Sequence, residues 1–449
     1  MRKGISQEVG KKTIVISFLS QFFQYGVTIL VLPAVLSQLA AADMGVWYIF
    51  LSITSMIKLL DFGFAPSIQR NIAYVAAGAK ELKVDGYVIT DQNSGIDDRL
   101  MSSLIQTSKF IYRRISVAVL LLSLSLGSVY LFYALKDSFS VEVLVIWIVY
   151  SFGVTFDLYF SYILSLLRGM GFISEFNINI IISKTIYILL LYVLIYFNFG
   201  LMSLVIATFA NVVIMVALGF FELYRKVDKF KEWFHTKKYE NLFHILWKNA
   251  RNSGLVGVGV FLLSQSGVLI SGIFLNVTEV AQLGLILQLY GILVVLARVY
   301  LTTYTPQISS LWVSGDIGKI QKVFLKCQLV GYLIYISGVM VIYFMGNTIL
   351  SQIIHSNVLL PSGSVILLYG FFYMMEITHG NCCSLIGTSN NIPFVNASIV
   401  SGLISIVFTL IFIMFNMGMI SFPLALICGS LPYNSWKWPY EAYLLLKVK

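Results

Sequence analysis

The chain has 449 residues, of which 58% are hydrophobic and only 11% charged, with a mean hydropathy of +0.87. An ordinary soluble domain is excluded, since roughly 25% of its residues would be charged, and there is room for about a dozen spans of ~20 residues. The net charge of +10 is no nucleic-acid signal until the charges have been placed against the membrane.

Apolar windows predict twelve spans, at 13–39, 44–66, 115–135, 143–167, 176–197, 201–221, 254–276, 281–304, 327–346, 362–382, 394–415 and 417–433. The first is too long for a signal h-region and lacks a small-residue cleavage site, so it reads as a permanent span rather than a cleaved leader. The last is interrupted by Pro423 and Pro432. Basic residues test the count. Of the thirty Lys and Arg, twenty-six fall in the N-terminus, the C-terminus and alternate loops, only Lys136 falls in the others, and three lie inside spans. The positive-inside rule then predicts that both termini are cytoplasmic.

Two connections are long, and both are expected inside. Residues 67–114 carry polar and acidic sequence around Asp91–Arg99, while 222–252 is basic and aromatic at helical spacing. The second reads as an amphipathic linker held at the interface by anionic headgroups. It divides the chain into an N-terminal six-helix bundle (1–221), the linker (222–252) and a C-terminal six-helix bundle (253–449).

A repeat crosses this division. At an offset near 240, Ala65-Pro66-Ser67-Ile68 and Gly78 face Thr305-Pro306-Gln307-Ile308 and Gly318, Gln24, Gly26 and Val27 face Gln265, Gly267 and Val268, and Gly45 faces Gly284. Lys58 then falls on Arg298. At about 218, Gly169 and Phe176 fall on Gly387 and Phe394, and Asp157 falls next to Glu376. An even number of spans gives the halves one orientation. The expected fold is thus an all-α integral membrane protein, twelve transmembrane helices in two six-helix bundles related by a parallel pseudo-two-fold repeat around a central cavity.

Charges inside spans are costly and mark function by default. Lys58 and Asp61, three residues apart, either neutralise one another or serve a substrate. Lys184 either snorkels to the inner surface or faces a cavity. Arg298 has no acid at helical spacing and is the strongest functional candidate. Asp157 and Glu376 are open to structural bonding, pairing with the cations or proton coupling, and His379, three residues from Glu376, reads as a satisfied polar contact. Cys327, Cys382, Cys383 and Cys428 lie in apolar segments without metal or redox spacing. No phosphate loop, His-Glu-x-x-His or Gly-x-Ser-x-Gly motif is present. The chain is therefore not expected to be an enzyme or to need a cofactor, and transport would draw on an ion or substrate gradient.

The stretch 60–70 reads Leu-Asp-Phe-Gly-Phe-Ala-Pro-Ser-Ile-Gln-Arg and resembles the element that closes the second span in the polysaccharide-exporter branch of the MOP (MATE-like) superfamily. Gly45-Val46-Trp47-Tyr48 and Leu167-Arg168-Gly169-Met170-Gly171 fit the same branch, and the chain is most similar to O-antigen flippases of the Wzx type. The second half departs from the pattern, with Leu301 in place of Asp61.

The resemblance implies a carrier that moves an undecaprenyl-pyrophosphate-linked oligosaccharide from the cytoplasmic to the periplasmic leaflet of a bacterial inner membrane by alternating access. Lys58, Arg298, Lys184 and Arg70 would meet the pyrophosphate and glycan, with tyrosines binding sugar. Asp61, Asp157 and Glu376 would couple or gate, using protons or sodium. Partners would be the lipid-linked oligosaccharide, membrane lipids, a polysaccharide polymerase and chain-length proteins, and not nucleic acid. A cation-coupled multidrug exporter of the same superfamily is the main alternative, and an integral-membrane glycan polymerase a weaker one, since no large outside loop is present.

Overall fold

The computed structural model describes residues 11–82, 95–236, 240–314, 316–387 and 394–447, which are helical with no β-strand among them. The first half of the chain forms α1 (Lys11–Gln38), α2 (Ala41–Lys58), α3 (Phe64–Ala76), α4 (Asp98–Leu122), α5 (Ser128–Leu135), α6 (Val141–Gly169), α7 (Ile173–Tyr196), α8 (Met202–Lys226) and α9 (Phe230–His235). The second half forms α10 (Phe243–Ser264), α11 (Ser266–Phe274), α12 (Val277–Ser314), α13 (Ile317–Thr348), α14 (Gly363–Gly387), α15 (Val395–Met414), α16 (Ser421–Ser430) and α17 (Asn434–Lys447).

Helix starts follow local chemistry. Asp97 accepts the Leu100 amide at 2.9 Å, Ser140 the Val143 amide at 3.2 Å and Asp316 the Lys319 amide at 3.0 Å, each satisfying a donor that the first turn leaves orphaned.

Helix order repeats as the sequence suggests. α4 and α5 join through a π turn, Ser123–Gly127, into 38 helical residues, and α13 runs through a π turn, Ile349–Ile353, for 37. Around them, α1 corresponds to α10 and α11, α2 and α3 to α12, α6 to α14, α7 to α15 and α8 to α16. The first π turn has a local cause. Its Ser123 carbonyl accepts both the Ser128 backbone N–H and the Trp147 indole N–H, the latter at 3.1 Å, and Gly127 leaves room for that ring, since a methyl there would lie 2.7 Å from it.

Nine helices among the described residues are long and apolar enough to cross a membrane, or ten if Gly254–Leu263 and Ser266–Phe274, bent by 41°, form one span. Of the twelve expected, two are built differently. α14 has 25 residues, about 37 Å of rise, but Glu376, His379 and Asn381 lower its hydropathy. The segment 417–433 is a 3₁₀ turn and the ten-residue α16, about 15 Å long and half of a ~30 Å hydrocarbon core.

Part of the aromatic face of 222–252 packs on protein. α8 runs into this segment, and Phe230 and Trp233 are 0% and 4% exposed in a core with Tyr112, Leu223 and Leu246. Gln106 donates to the carbonyls of Trp233 and Phe234 at 2.9 Å, and the Lys109 ammonium sits 3.9 Å over the Phe234 ring. The aromatic face is spent on α4, which offers hydrogen bonds that lipid cannot. Lys229 pairs with Asp98, whose hydrogen bond holds the ammonium above its ordinary pKa. Of the acidic stretch around Asp91, residues 83–94 lie outside the described residues, as do the basic residues Arg2, Lys3, Lys83, Lys237, Lys238 and Lys449.

The chain forms two compact units, one of Met1–Val35 and Ile53–Gly257, the other of Leu36–Ser52 and Val258–Lys449. Their boundaries therefore fall inside α1, α2 and α10, and 222–252 belongs to the first unit. In the second unit small residues set close helix approach. A methyl at Gly429 on α16 would lie 1.9 Å from Ser405 Oγ and 2.6 Å from the Ser401 carbonyl on α15. Gly429→Val should lower the thermal unfolding temperature in micelles, with overpacking costing about 1–3 kcal/mol. Gly291→Ala, at a helical position with nothing within 4 Å, should be neutral or gain up to about 1 kcal/mol. Equal melting of the two variants would refute the small-residue contact.

Candidate functional site

The first unit gathers its charges where α2 stops. Lys58 is the last residue of α2, followed by a 3₁₀ turn, Leu59–Asp61, and by Phe62 and Gly63 with φ of 46° and 79°. Left-handed backbone is strained for phenylalanine. Packing imposes it: Phe62 stacks on Trp247 at 5.3 Å, and Gly254 clears space, since a methyl there would come 2.5 Å from the Phe62 ring. Asp61 accepts the Tyr112 hydroxyl at 2.5 Å and the backbone N–H groups of Gly63 and Ala65, so its carboxylate caps α3.

Of the two readings open for Lys58, pairing with Asp61 is not the one seen. Its Nζ lies 2.7 Å from Asp157 Oδ2 on α6, and the two side chains are 45% and 32% exposed. The reason is directional: Asp61 turns to the start of α3 while Lys58 reaches across to α6. Lys184 on α7 sits 5.4 Å from the Tyr187 ring and feels the charges of Asp157 and Lys58, so the structure brings these three together. Arg70 is exposed on α3 and joins none of these contacts.

The Lys58–Asp157 pair forms one wall of a cavity of about 200 Å³ inside the first unit. Tyr150, Thr208, Phe209 and Asn211 complete its chemistry. Asn211 Oδ1 is buried with no hydrogen-bond partner among the described residues. Reading the sequence missed these residues, which carry no motif and lie in otherwise apolar helices.

The second unit treats its cation differently. Arg298 on α12 donates from Nε to Asn381 Oδ1 at 3.2 Å and from Nη2 to the Gly380 carbonyl and Ser384 Oγ, both at 3.0 Å. All three acceptors are on α14 and all are neutral. Asn381 is oriented by donating to Gln328 at 2.6 Å. No carboxylate forms an ion pair with Arg298 among the described residues, so its charge is held but not cancelled. Glu376 Oε1 instead accepts Ser430 Oγ at 3.3 Å and lies 3.5 Å from His379 Nδ1. His379 was expected to be satisfied, yet that nitrogen makes no hydrogen bond among the described residues.

Three tyrosines of the second unit offer no surface to a sugar. Tyr290, Tyr335 and Tyr369 are 0%, 2% and 1% exposed. The hydroxyls of Tyr290 and Tyr335 are taken by the carbonyls of Ile366 and Gly370, and Tyr290 stacks on Tyr373 at 5.3 Å.

The three motif stretches are packing elements. A methyl at Gly45 would lie 2.1 Å from the Val277 carbonyl, and one at Gly284 equally close to the Tyr48 ring, whose hydroxyl donates to Gln288 at 2.5 Å. A methyl at Gly169 would lie 2.6 Å from the Gln69 carbonyl, so α6 ends against α3.

No protein-family model matches the chain, and no curated protein matches it significantly. Solved structures do. An inward-facing multidrug resistance MATE family transporter of the MOP superfamily aligns at a TM-score of 0.68 and 14% identity over 99% of this chain and 98% of that one. An outward-facing one aligns at 0.56 and 15% over all of both chains. A MOP-superfamily transporter from Pyrococcus furiosus, whose binding pocket of reverse polarity suggests a different function, aligns at 0.58 and 15% over 99% of this chain and 98% of that one. The chain shares the fold of these structures. It is a multi-pass membrane protein.

Breaking the Lys58–Asp157 pair tests the first site. Lys58→Ala or Asp157→Ala should each cost about 1–3 kcal/mol, between the exposed and buried limits for ion pairs. The exchange Lys58→Asp with Asp157→Lys should recover most of the loss. Simple additivity of the two losses in a thermal melt would show that the pair contributes nothing.

Proposed function

We propose that this protein is a flippase that carries undecaprenyl-pyrophosphate-linked oligosaccharide from the cytoplasmic to the periplasmic leaflet of a bacterial inner membrane by alternating access, with both termini cytoplasmic. The observation that carries the proposal is Arg298. A guanidinium in an apolar helix whose hydrogen-bond acceptors among the described residues are all neutral keeps charge available for an anionic ligand, and its planar fork suits phosphate. Lys184, without a carboxylate of its own in hydrogen-bond contact among the described residues, is assigned the same role. Lys58 is neutralised by Asp157, so in this reading the pair couples rather than binds: a proton or sodium ion on Asp157 would release the lysine. Glu376, beside His379, is the coupling candidate of the second unit. Asp61 holds the α2–α3 break, and Arg70 has the weakest claim on substrate.

Multidrug export is the second reading. It is favoured by what the inward- and outward-facing neighbours are named for and by the acids Asp157 and Glu376. An uncancelled arginine argues against it, because cationic drugs would be repelled.

Arg298→Gln keeps hydrogen-bond donors and removes the charge. Surface polysaccharide should fall roughly 10- to 100-fold in cells that depend on this protein, the equivalent of one charge-assisted bond of about 1.5–3 kcal/mol, while the amount in the membrane stays constant. Arg298→Lys should rescue little, since a point ammonium cannot reproduce the fork on Asn381, Gly380 and Ser384. Full polysaccharide with glutamine at 298 would defeat the assignment.

A further inference from the structure

We propose that the cavity inside the first unit is a subsite for a single uncharged sugar ring, and that this ring is one residue of the glycan assigned above; the ligand class rests on that reading. Size is the first argument. About 200 Å³ is below the ~300–1,000 Å³ of pockets for drug-sized ligands, yet equals the liquid volume of several waters at ~30 Å³ each. It has room for one sugar ring.

Charge is the second argument. The cavity's cation and anion, Lys58 and Asp157, are bonded to each other at 2.7 Å, so the wall has no net charge to attract either a drug cation or a phosphate. A phosphate would meet the Asp157 carboxylate at the same wall. Lys184, which would tip the balance, is not among the residues lining the cavity.

The third argument is hydrogen-bonding capacity. Asn211 lines the cavity, and a carboxamide offers both a donor and an acceptor, the two roles that sugar hydroxyls also fill. The Thr208 hydroxyl on the same helix, one turn before Asn211, adds a group that both donates and accepts. Tyr150 carries a further hydroxyl, bonded to Thr54.

The fourth is the apolar surface. Phe209 lines the cavity beside Gly153. A methyl at Gly153 would lie 3.3 Å from the Phe209 ring, so the glycine is what leaves space next to an aromatic surface. Sugar C–H bonds pack on such a ring while their hydroxyls bond at the edges. Balanced charge, amide, hydroxyls and one aromatic ring together match a sugar better than any ion.

The test uses the full-length protein in lipid nanodiscs and saturation-transfer NMR with free monosaccharides: glucose, galactose, rhamnose and N-acetylglucosamine. At least one should receive saturation from the wild type, and inorganic pyrophosphate in excess should not displace it. Asn211→Ala and Thr208→Val should weaken binding at least about ten-fold, the loss of one hydrogen bond of roughly 1.4 kcal/mol. Gly153→Leu should abolish it by filling the space. Arg298→Gln should leave it intact. A wild type that receives none of the four sugars holds only water there, and the proposal falls. It falls equally if Asn211→Ala and Thr208→Val bind as the wild type does, or if pyrophosphate displaces the sugar. Sugar binding with the predicted variant pattern, in a protein that moves no lipid-linked glycan, would overturn the flippase reading and leave this subsite standing.

Discussion

Hydrocarbon offers no hydrogen bonds and almost no solvation for charge, so every ionised group in a spanning helix must find its match within the protein. This chain meets the constraint in two ways. In the first unit, Lys58 and Asp157 cancel one another across α2 and α6, and Asp61 is satisfied by Tyr112 and the amides that open α3. In the second, Arg298 is hydrogen-bonded by the carbonyl, amide and hydroxyl of Gly380, Asn381 and Ser384 and keeps its charge. The first arrangement suits switching, because one bound proton or ion changes it. The second suits holding an anion, because no carboxylate among the described residues forms an ion pair with the guanidinium.

The break after α2 shows how one local change alters a repeated element. In the first half, Asp61-Phe62-Gly63 ends one helix and starts another, with glycine supplying a left-handed position and aspartate the cap. At the equivalent place the second half has Leu301-Thr302-Thr303. With neither cap nor glycine, α12 runs unbroken for 38 residues. The two halves therefore share helix order but differ where Lys58 and Arg298 sit. That difference accompanies their different partners: Lys58 ends a helix and reaches α6, whereas Arg298 lies mid-helix and bonds the helix packed beside it.

Much of this was legible in the sequence, and the illegible part has common causes. Helix order and the placing of cations inside apolar helices follow from periodicity and composition, which are local. Partners are not local. Lys58 and Asp157 are 99 residues apart and Asp61 and Tyr112 are 51 apart, so spacing along one helix suggested Lys58–Asp61 instead. The aromatic face of 222–252 had the pattern of a membrane-surface helix, but pattern alone does not tell lipid from a neighbouring helix, and Phe230 and Trp233 found α4. α14 falls below the hydropathy of a spanning helix because its polar residues, Glu376, His379 and Asn381, face protein partners. The cavity was hidden because it is made by what Gly153 lacks. The motif glycines Gly45 and Gly169 mark close backbone approach, so the stretches that resemble a transporter branch testify to fold more than to substrate.

The central claim is that the uncancelled charge of Arg298 serves a pyrophosphate-linked glycan. It is tested most directly by reconstituting the purified protein in vesicles and following a fluorescent undecaprenyl-pyrophosphate oligosaccharide from one leaflet to the other, with a cationic dye as the competing cargo. The lipid-linked glycan should cross and the dye should not accumulate, and Arg298→Gln should stop the crossing. Dye accumulation driven by a proton or sodium gradient, with the glycan remaining in its leaflet, would contradict it.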